Sequence, residues 1–528
     1  MKKGWRHEAG LAYIAVLFVL ILLTVLGLGF VYHAATVTVT MQRRTAGLQA
    51  EYLAETAANH AVWRLNHDAT FPPSSDNYYL HSLGAGRYGY KVVRPTESTF
   101  GSIATFGVVQ DVVTKQSYVL YKAPGEGDLF TALLYSLSGG GTPQFRTFSD
   151  PLWAAPANAL NFGDELRWIR MEESPDKSMI VMAGITEGNR LYSAAYTPLL
   201  GWNALSLLNH GSGISFIDGH AFDLAFESLS GHAIVFGRAA SNDTDLKYSV
   251  WDGLLWSLLG PLMGVDLPAR INNIRAMSDP TSDEILLAVV DVNADLYLIR
   301  WNGNGFVNHG VIETTVTDSA LLSVDIAYES LSGDALIVWS GVGGIKYRIW
   351  NGTALSGTTD LGSTERKMVR LKADPTSDYI FVASGGTNSD LDIGLWGGSS
   401  IIDSRPGLEV NLAYEDRQSF DIAWESDGQH AMVIWSRAAN NAPHFLRWEK
   451  GTTLASAAVQ VGPDQSSAPS VLKLRSGPDN TMMFGCVTTN RRLSMTLWQD
   501  EEFATPVLMT NNLEAATQRS FDFIEPRY

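Results

Sequence analysis

The sequence has a single cysteine, Cys486, which excludes an intramolecular disulfide framework, a Cys-rich zinc module and an iron–sulfur cluster. Charge is sparse at 18% and acidic in balance, with 38 Lys/Arg against 55 Asp/Glu and a net of −17. A chain without excess basic charge is not built for nucleic acid, because phosphate binding needs a basic surface. Catalytic signatures are missing too. The 11 histidines are scattered, and no His-x-x-x-His, Glu-x-x-His or Gly-x-Ser-x-Gly occurs. These absences argue against an enzyme and against any required cofactor.

The charge that is present is unevenly spread. Residues 1–125 hold 11 of the 38 basic and 7 of the 55 acidic residues, so the remainder holds 27 and 48, a net of −21. Two parts of different character therefore meet near residue 125. Between Ala9 and Gln42 there is no Asp, Glu, Lys or Arg. Its centre, Leu11–Phe30, is 20 residues long, roughly 30 Å as a helix and enough to cross a bilayer core. Lys2, Lys3 and Arg6 precede it, an arrangement that keeps the N-terminus cytoplasmic and sends the rest of the chain outward. Ala50, Leu53, Ala57, Ala61 and Leu65 then recur at spacings of three and four, which predicts that the helix continues to about residue 66 with one face packed on something. Behind it YGYKVV, SIATFGVV and KQSYVLYKA read as three strands of a small β segment, residues 77–125.

A basic leader ending in Gly10, an apolar helix from Leu11 and the continuation LQAEYLAETAANHAVWRL resemble the type IV pilin superfamily, in particular PilX-type minor pilins and the tip pseudopilins of type II secretion. The resemblance covers residues 1–125. It implies cleavage by a prepilin peptidase after Gly10, with Leu11 as the new N-terminus. It also implies assembly with other pilin subunits through the N-terminal helix, and passage from the inner membrane to a pilus or cell surface. One departure matters: the fifth mature position, where most pilins carry Glu, is Ala15, which suits a tip or initiating subunit with no neighbour above it.

Residues 126–528 are repetitive. FDLAFESLSGHAIVF from Phe222, VDIAYESLSGDALIVW from Val324 and FDIAWESDGQHAMVIW from Phe420 are near copies, and IRAMSDPTSDEILLAVV from Ile274 and VRLKADPTSDYIFVAS from Val369 form a second variant between them. Trp251-Asp-Gly, Trp301-Asn-Gly, Trp350-Asn-Gly and Trp396-Gly-Gly predict two-residue hairpin turns, whose central positions need positive φ. Aligning the units gives Arg170, Asp223, Arg275, Asp325, Arg370, Asp421, Lys473 and Asp522, at gaps of 53, 52, 50, 45, 51, 52 and 49. A period of about 50 residues holding four short strands is the mark of a β-propeller. SFDFIEPRY at the end supplies only a first strand, while LYSLSGGGTPQFRTF from Leu134 matches IWSRAANNAPHFLRW from Ile434 without a gap. The last strand should therefore complete a blade begun at residue 126, giving a mainly β fold with an eight-bladed propeller behind a long N-terminal helix.

The aligned position alternates base and acid around the ring, which predicts partly buried ion pairs between blades in preference to an anion-binding channel. Other recurring residues have structural readings. Glu227, Glu329 and Glu425 follow the blade period, and Ser282/Asp283 and Ser377/Asp378 fall in repeated turns where side chains bond their own backbone. The 15 tryptophans fit blade packing better than a sugar-stacking platform. The acidic loops around Asp243/Asp245, Asp291/Asp295 and Asp390/Asp392 are candidates for calcium, though none has the glycine and distal glutamate of an EF-hand. A body of 403 residues has a radius of gyration near 21 Å, far wider than the ~8–10 Å between packed helices. Every subunit of a filament cannot carry one, so the propeller points to a minor, tip-located protein with an extracellular ligand, protein or glycan.

Overall fold

The computed structural model describes residues 41–64, 78–93 and 101–120 apart from a few positions, and most of 130–525. Gly10, Leu11, the apolar run and Asp243 lie outside the described residues. Among the described residues no helix is long and apolar enough to cross a membrane. The chain divides into two compact units, Met1–Ala123 and Pro124–Tyr528.

In the first unit a helix over residues 41–64 faces a four-stranded antiparallel meander: β1 (Tyr79–Leu83), β2 (Gly86–Val93), β3 (Gly101–Val109) and β4 (Val112–Leu120). One strand more is present than the sequence pattern predicts; β1, YLHSL, is short and half exposed, so it carries little apolar alternation. Ala46, Ala50, Leu53, Ala57 and Ala61 form the buried helix face and pack on Tyr88, Tyr90, Val92, Ile103 and Val109. The small residues permit a close approach. A Cβ on Gly107 would lie 1.9 Å from the Ala50 carbonyl oxygen, so only glycine fits beneath the helix there.

The second unit is a β-propeller, and its described residues form eight sheets. Seven follow the chain, each as a meander. Their first strands are Leu166–Glu173 (sheet II), Phe222–Phe226 (III), Ile271–Ser278 (IV), Val324–Tyr328 (V), Met368–Ala373 (VI), Phe420–Trp424 (VII) and Pro469–Ser476 (VIII). Sheet I is composite: Phe521–Phe523, from the far end of the chain, pairs antiparallel with Phe130–Tyr135, setting Phe521 opposite Tyr135 and Asp522 opposite Leu134. The sequence matching predicts this pairing, and it covers an edge that would otherwise stay open.

Each pair of neighbouring sheets shares one apolar core, and eight such cores are present, including one between sheets VIII and I. Alternation along a strand distributes side chains between two of them. Leu133 and Tyr135 point into the VIII–I core, while Ala132 and Leu134 point into the I–II core. Second strands such as Ile180–Thr186 are consequently apolar on both faces and buried throughout.

The hairpin turns differ from the two-residue form. Trp301 pairs with Phe306, and Trp350 bridges Leu355, leaving four residues in each loop. Only the glycine adopts positive φ, at 85° for Gly303 and 78° for Gly352. The preceding asparagine caps the loop: Asn302 Oδ1 accepts from the Asn304 and Gly305 amides at 3.1 and 3.0 Å. Side-chain capping, and not a left-handed Asn, explains the dipeptide.

Candidate functional site

The eight aligned residues all lie on first strands, whose side chains border the centre of the propeller. Arg170 Nε donates to Asp223 Oδ1 at 3.0 Å, Arg275 Nε to Asp325 Oδ1 at 2.6 Å and Arg370 Nη2 to Asp421 Oδ1 at 3.1 Å. Each arginine also faces the aspartate behind it: Arg275 lies 3.7 Å from Asp223, Arg370 3.4 Å from Asp325 and Arg170 4.0 Å from Asp522. Lys473 Nζ reaches Asp522 at 2.9 Å. Among the described residues no ion pair joins Asp421 to Lys473, the one gap in the series.

Each aspartate makes a second bond that the spacing of the repeat does not predict. Asp522 Oδ2 accepts from the Met171 amide, Asp223 Oδ2 from Ala276, Asp325 Oδ2 from Leu371 and Asp421 Oδ2 from Leu474, each at 2.9 Å. Every aspartate thus pins the backbone of the next sheet as well as its base. That satisfies a buried carboxylate, which would otherwise be costly to desolvate. Around Asp522 positive charge is in excess. Burial pushes its carboxyl up, but Lys473, Arg475 and Arg170 more than offset this and hold it at about 2. Lys473 answers in the opposite sense: burial first, then Arg475 and Arg170, bring it down to about 8 despite Asp522.

A cavity of about 520 Å³ opens over these strands, bordered by residues of seven sheets, among them Arg170, Arg275, Arg370, Lys372, Arg475 and Glu525. An adjoining space of about 650 Å³ shares Lys372 and Glu525 and is edged by Ser330, Ser426 and Trp424. Lys372 and Arg475 were missed by the sequence alignment although they stand two residues after Arg370 and Lys473. On a strand that spacing returns to the same face. Glu525 follows the closing strand and takes a bond from Lys372 Nζ at 2.8 Å.

The described ones among the other predicted positions take part in hydrogen bonds and ion pairs within the protein. Glu227 and Glu329 accept the indole N–H of the next sheet's tryptophan, Trp301 and Trp396, both at 2.6 Å. Glu425 departs from the pattern and pairs with Arg447 at 2.8 Å and His430 at 2.8 Å. Glu425, Asp427 and His430 are the one trio of potential metal ligands among the described residues, but the guanidinium of Arg447 already lies against two of them. Asp283 and Asp378 do not bond their own turns as expected. Asp283 Oδ1 accepts the Leu229 and Ser230 amides at 2.8 and 2.9 Å, and Asp378 Oδ1 takes Leu331 and Ser332 in the same way. Within the acidic loops, Asp291 caps its own turn through Asn293 and Asp295 amides at 2.8 and 3.0 Å. Asp392 is paired with Arg366, Asp390 lies 3.9 Å from the same guanidinium, and Asp245 lies 3.9 Å from Lys247.

No protein-family model matches the chain, and no curated protein sequence does. Among solved structures, a lectin from Burkholderia pseudomallei is 10% identical with a TM-score of 0.47, covering 62% of this chain and 94% of its own. The fungal lectin of Aleuria aurantia, described as a six-bladed β-propeller with a novel fucose recognition mode, is 11% identical at 0.34, covering 54% and 90%. Hydrazine synthase of Kuenenia stuttgartiensis is 10% identical at 0.37, covering 55% and 80%. The propeller assignment rests on the strand pairing and the shared cores, not on these matches.

Proposed function

We propose that this protein is a minor type IV pilin-like subunit that carries an eight-bladed β-propeller outside the cell, most simply at a filament tip, for pilus initiation, adhesion or recognition. The eight sheets are read as the blades of one closed ring, sewn together by Phe521–Phe523. The observation that carries the filament part of the reading is the helix of residues 41–64. It runs in unbroken sequence from the charge-free stretch Ala9–Gln42, and its small-residue face is covered by a sheet of its own. An anchor alone needs no such covered continuation, whereas a subunit packed among parallel helices does. The propeller then supplies a rigid recognition surface, and the cavity over its first strands is a concave site of ligand size.

Intact mass of the mature protein tests the filament role. A start at Leu11 is expected; a start at Met1 would remove it. Immunogold label at filament ends supports tip placement, and label spread evenly over the envelope opposes it.

A further inference from the structure

At the eight aligned positions the charges balance, four against four, and a balanced ring leaves nothing for a ligand to neutralise. The surface of the cavity does not balance. Its wall includes six bases, Arg170, Lys177, Arg275, Arg370, Lys372 and Arg475, against three acids, Glu172, Glu173 and Glu525, and none of Asp223, Asp325, Asp421 or Asp522. Geometry explains the difference. Each aspartate is short, turned into the seam between two sheets and bonded there to the next sheet's amide, as described above. Arg170 shows this most clearly: its side chain keeps 15% exposure while Asp223 and Asp522 keep 0%. The longer arginines carry their charge past the seam, so three of the network's four bases, and none of its aspartates, face a ligand.

A carboxylate already stands at this mouth. Glu525 bonds Lys372 at 2.8 Å with 53% of its side chain exposed. The surrounding protein pushes its carboxyl up, and Lys372, then Arg475 and Lys177, more than reverse this. Cations from three sheets thus converge on one acid, whose exposed pairing is of the weak and easily exchanged kind.

We propose that the cavity mouth is a binding site for a small carboxylate-bearing ligand, an acidic sugar residue, and that Glu525 occupies the place of the ligand's carboxylate until displaced by it. About 520 Å³ lies within the range of small-molecule sites. The adjoining space is edged by Ser330, whose Oγ donates to the Asp374 carbonyl and keeps its lone pairs for a ligand hydroxyl, and by Pro280, Pro375 and Pro478, which give an apolar edge; that suits a sugar ring better than a bare acid. This deepens the recognition role proposed above and depends on it only for the ligand's extracellular origin.

Calorimetric titration of the full chain in detergent tests the site, with D-glucuronate, glucose, glutarate and inorganic phosphate as probes. Glucuronate is expected to bind and glucose not to bind. Glu525→Gln should tighten glucuronate three- to tenfold by releasing Lys372, Lys372→Gln should weaken it tenfold or more, and Lys372→Arg should largely restore it. Glu525 is exposed, so its variant stays folded even where changes at Lys372 do not. Absence of glucuronate binding to both wild type and Glu525→Gln would overturn the site. Glutarate or phosphate matching glucuronate would overturn the assignment to an acidic sugar. Binding by a chain that starts at Met1 would keep this site and remove the filament role, so the two can fail separately.

Discussion

Asp325 joins three sheets: one oxygen takes Arg275 Nε from sheet IV at 2.6 Å, and the other takes the Leu371 amide of sheet VI at 2.9 Å. A single buried carboxylate therefore satisfies a guanidinium on one side and a backbone donor on the other. Asp325→Ala strands both, and the expected loss is ~3–5 kcal/mol, read by chemical denaturation of the detergent-solubilised chain. Asp325→Asn keeps an acceptor and should cost less than Asp325→Ala. Equal stability of Asp325→Ala and wild type would show that the seam does not depend on this residue.

The glutamate–tryptophan bonds tie neighbouring sheets further out. Glu329→Ala leaves the buried indole N–H of Trp396 without its acceptor and should cost ~1–3 kcal/mol, with Glu329→Gln recovering most of it. Trp396→Phe is the partner change. In a double-mutant cycle the two should couple by at least ~0.5 kcal/mol, and simple additivity would count against the bond.

Stability should depend on pH at both ends through the Asp522–Lys473 pair. Asp522 titrates at about 2 in the fold against 3.8, so its stabilisation is present above the unfolded value and is lost as pH falls through about 2. That contribution is of order 2 kcal/mol. Lys473 titrates at about 8 against 10.5. The folded state therefore binds fewer protons between these values, and stability should rise as pH climbs from about 8 to 10.5. Lys473→Met is expected to abolish the alkaline rise; its persistence would assign the rise to another group.

Removal of residues 521–528 should be far worse than loss of an ordinary tail. Phe521 and Phe523 are fully buried in the core shared by sheets VIII and I, and a Phe→Ala change at such a site costs ~3–5 kcal/mol. The truncated chain should lose its cooperative transition and aggregate through the bared edge of Phe130–Tyr135. An unchanged melting profile would contradict the composite sheet.

The repeat and its closing strand were legible because both rest on period-two alternation, which nearly identical segments such as those at Phe222, Val324 and Phe420 repeat in register. Turn length was not legible: Asn302-Gly303 looks the same whether the asparagine is left-handed or caps a four-residue loop. Aligning one position per unit found the ion pairs but passed over Lys372 and Arg475, which share that face two residues on. It also passed over Glu525, which belongs to no repeat. The strand β1 is not legible because three of its five side chains are exposed and none is buried. That the cavity is lined by ring arginines but not by the ring aspartates depends on side-chain length against seam depth, which spacing alone does not encode.

The most direct test of the central claim, that the last strand is an integral part of the propeller, is hydrogen exchange followed by mass spectrometry. Peptides covering Phe521–Phe523 and Phe130–Tyr135 should exchange as slowly as the fully buried Ile180–Thr186 strand, opening only with the whole domain. Rapid exchange of Phe521–Phe523 while Ile180–Thr186 stays protected would mean that the ring is not held shut by its own end.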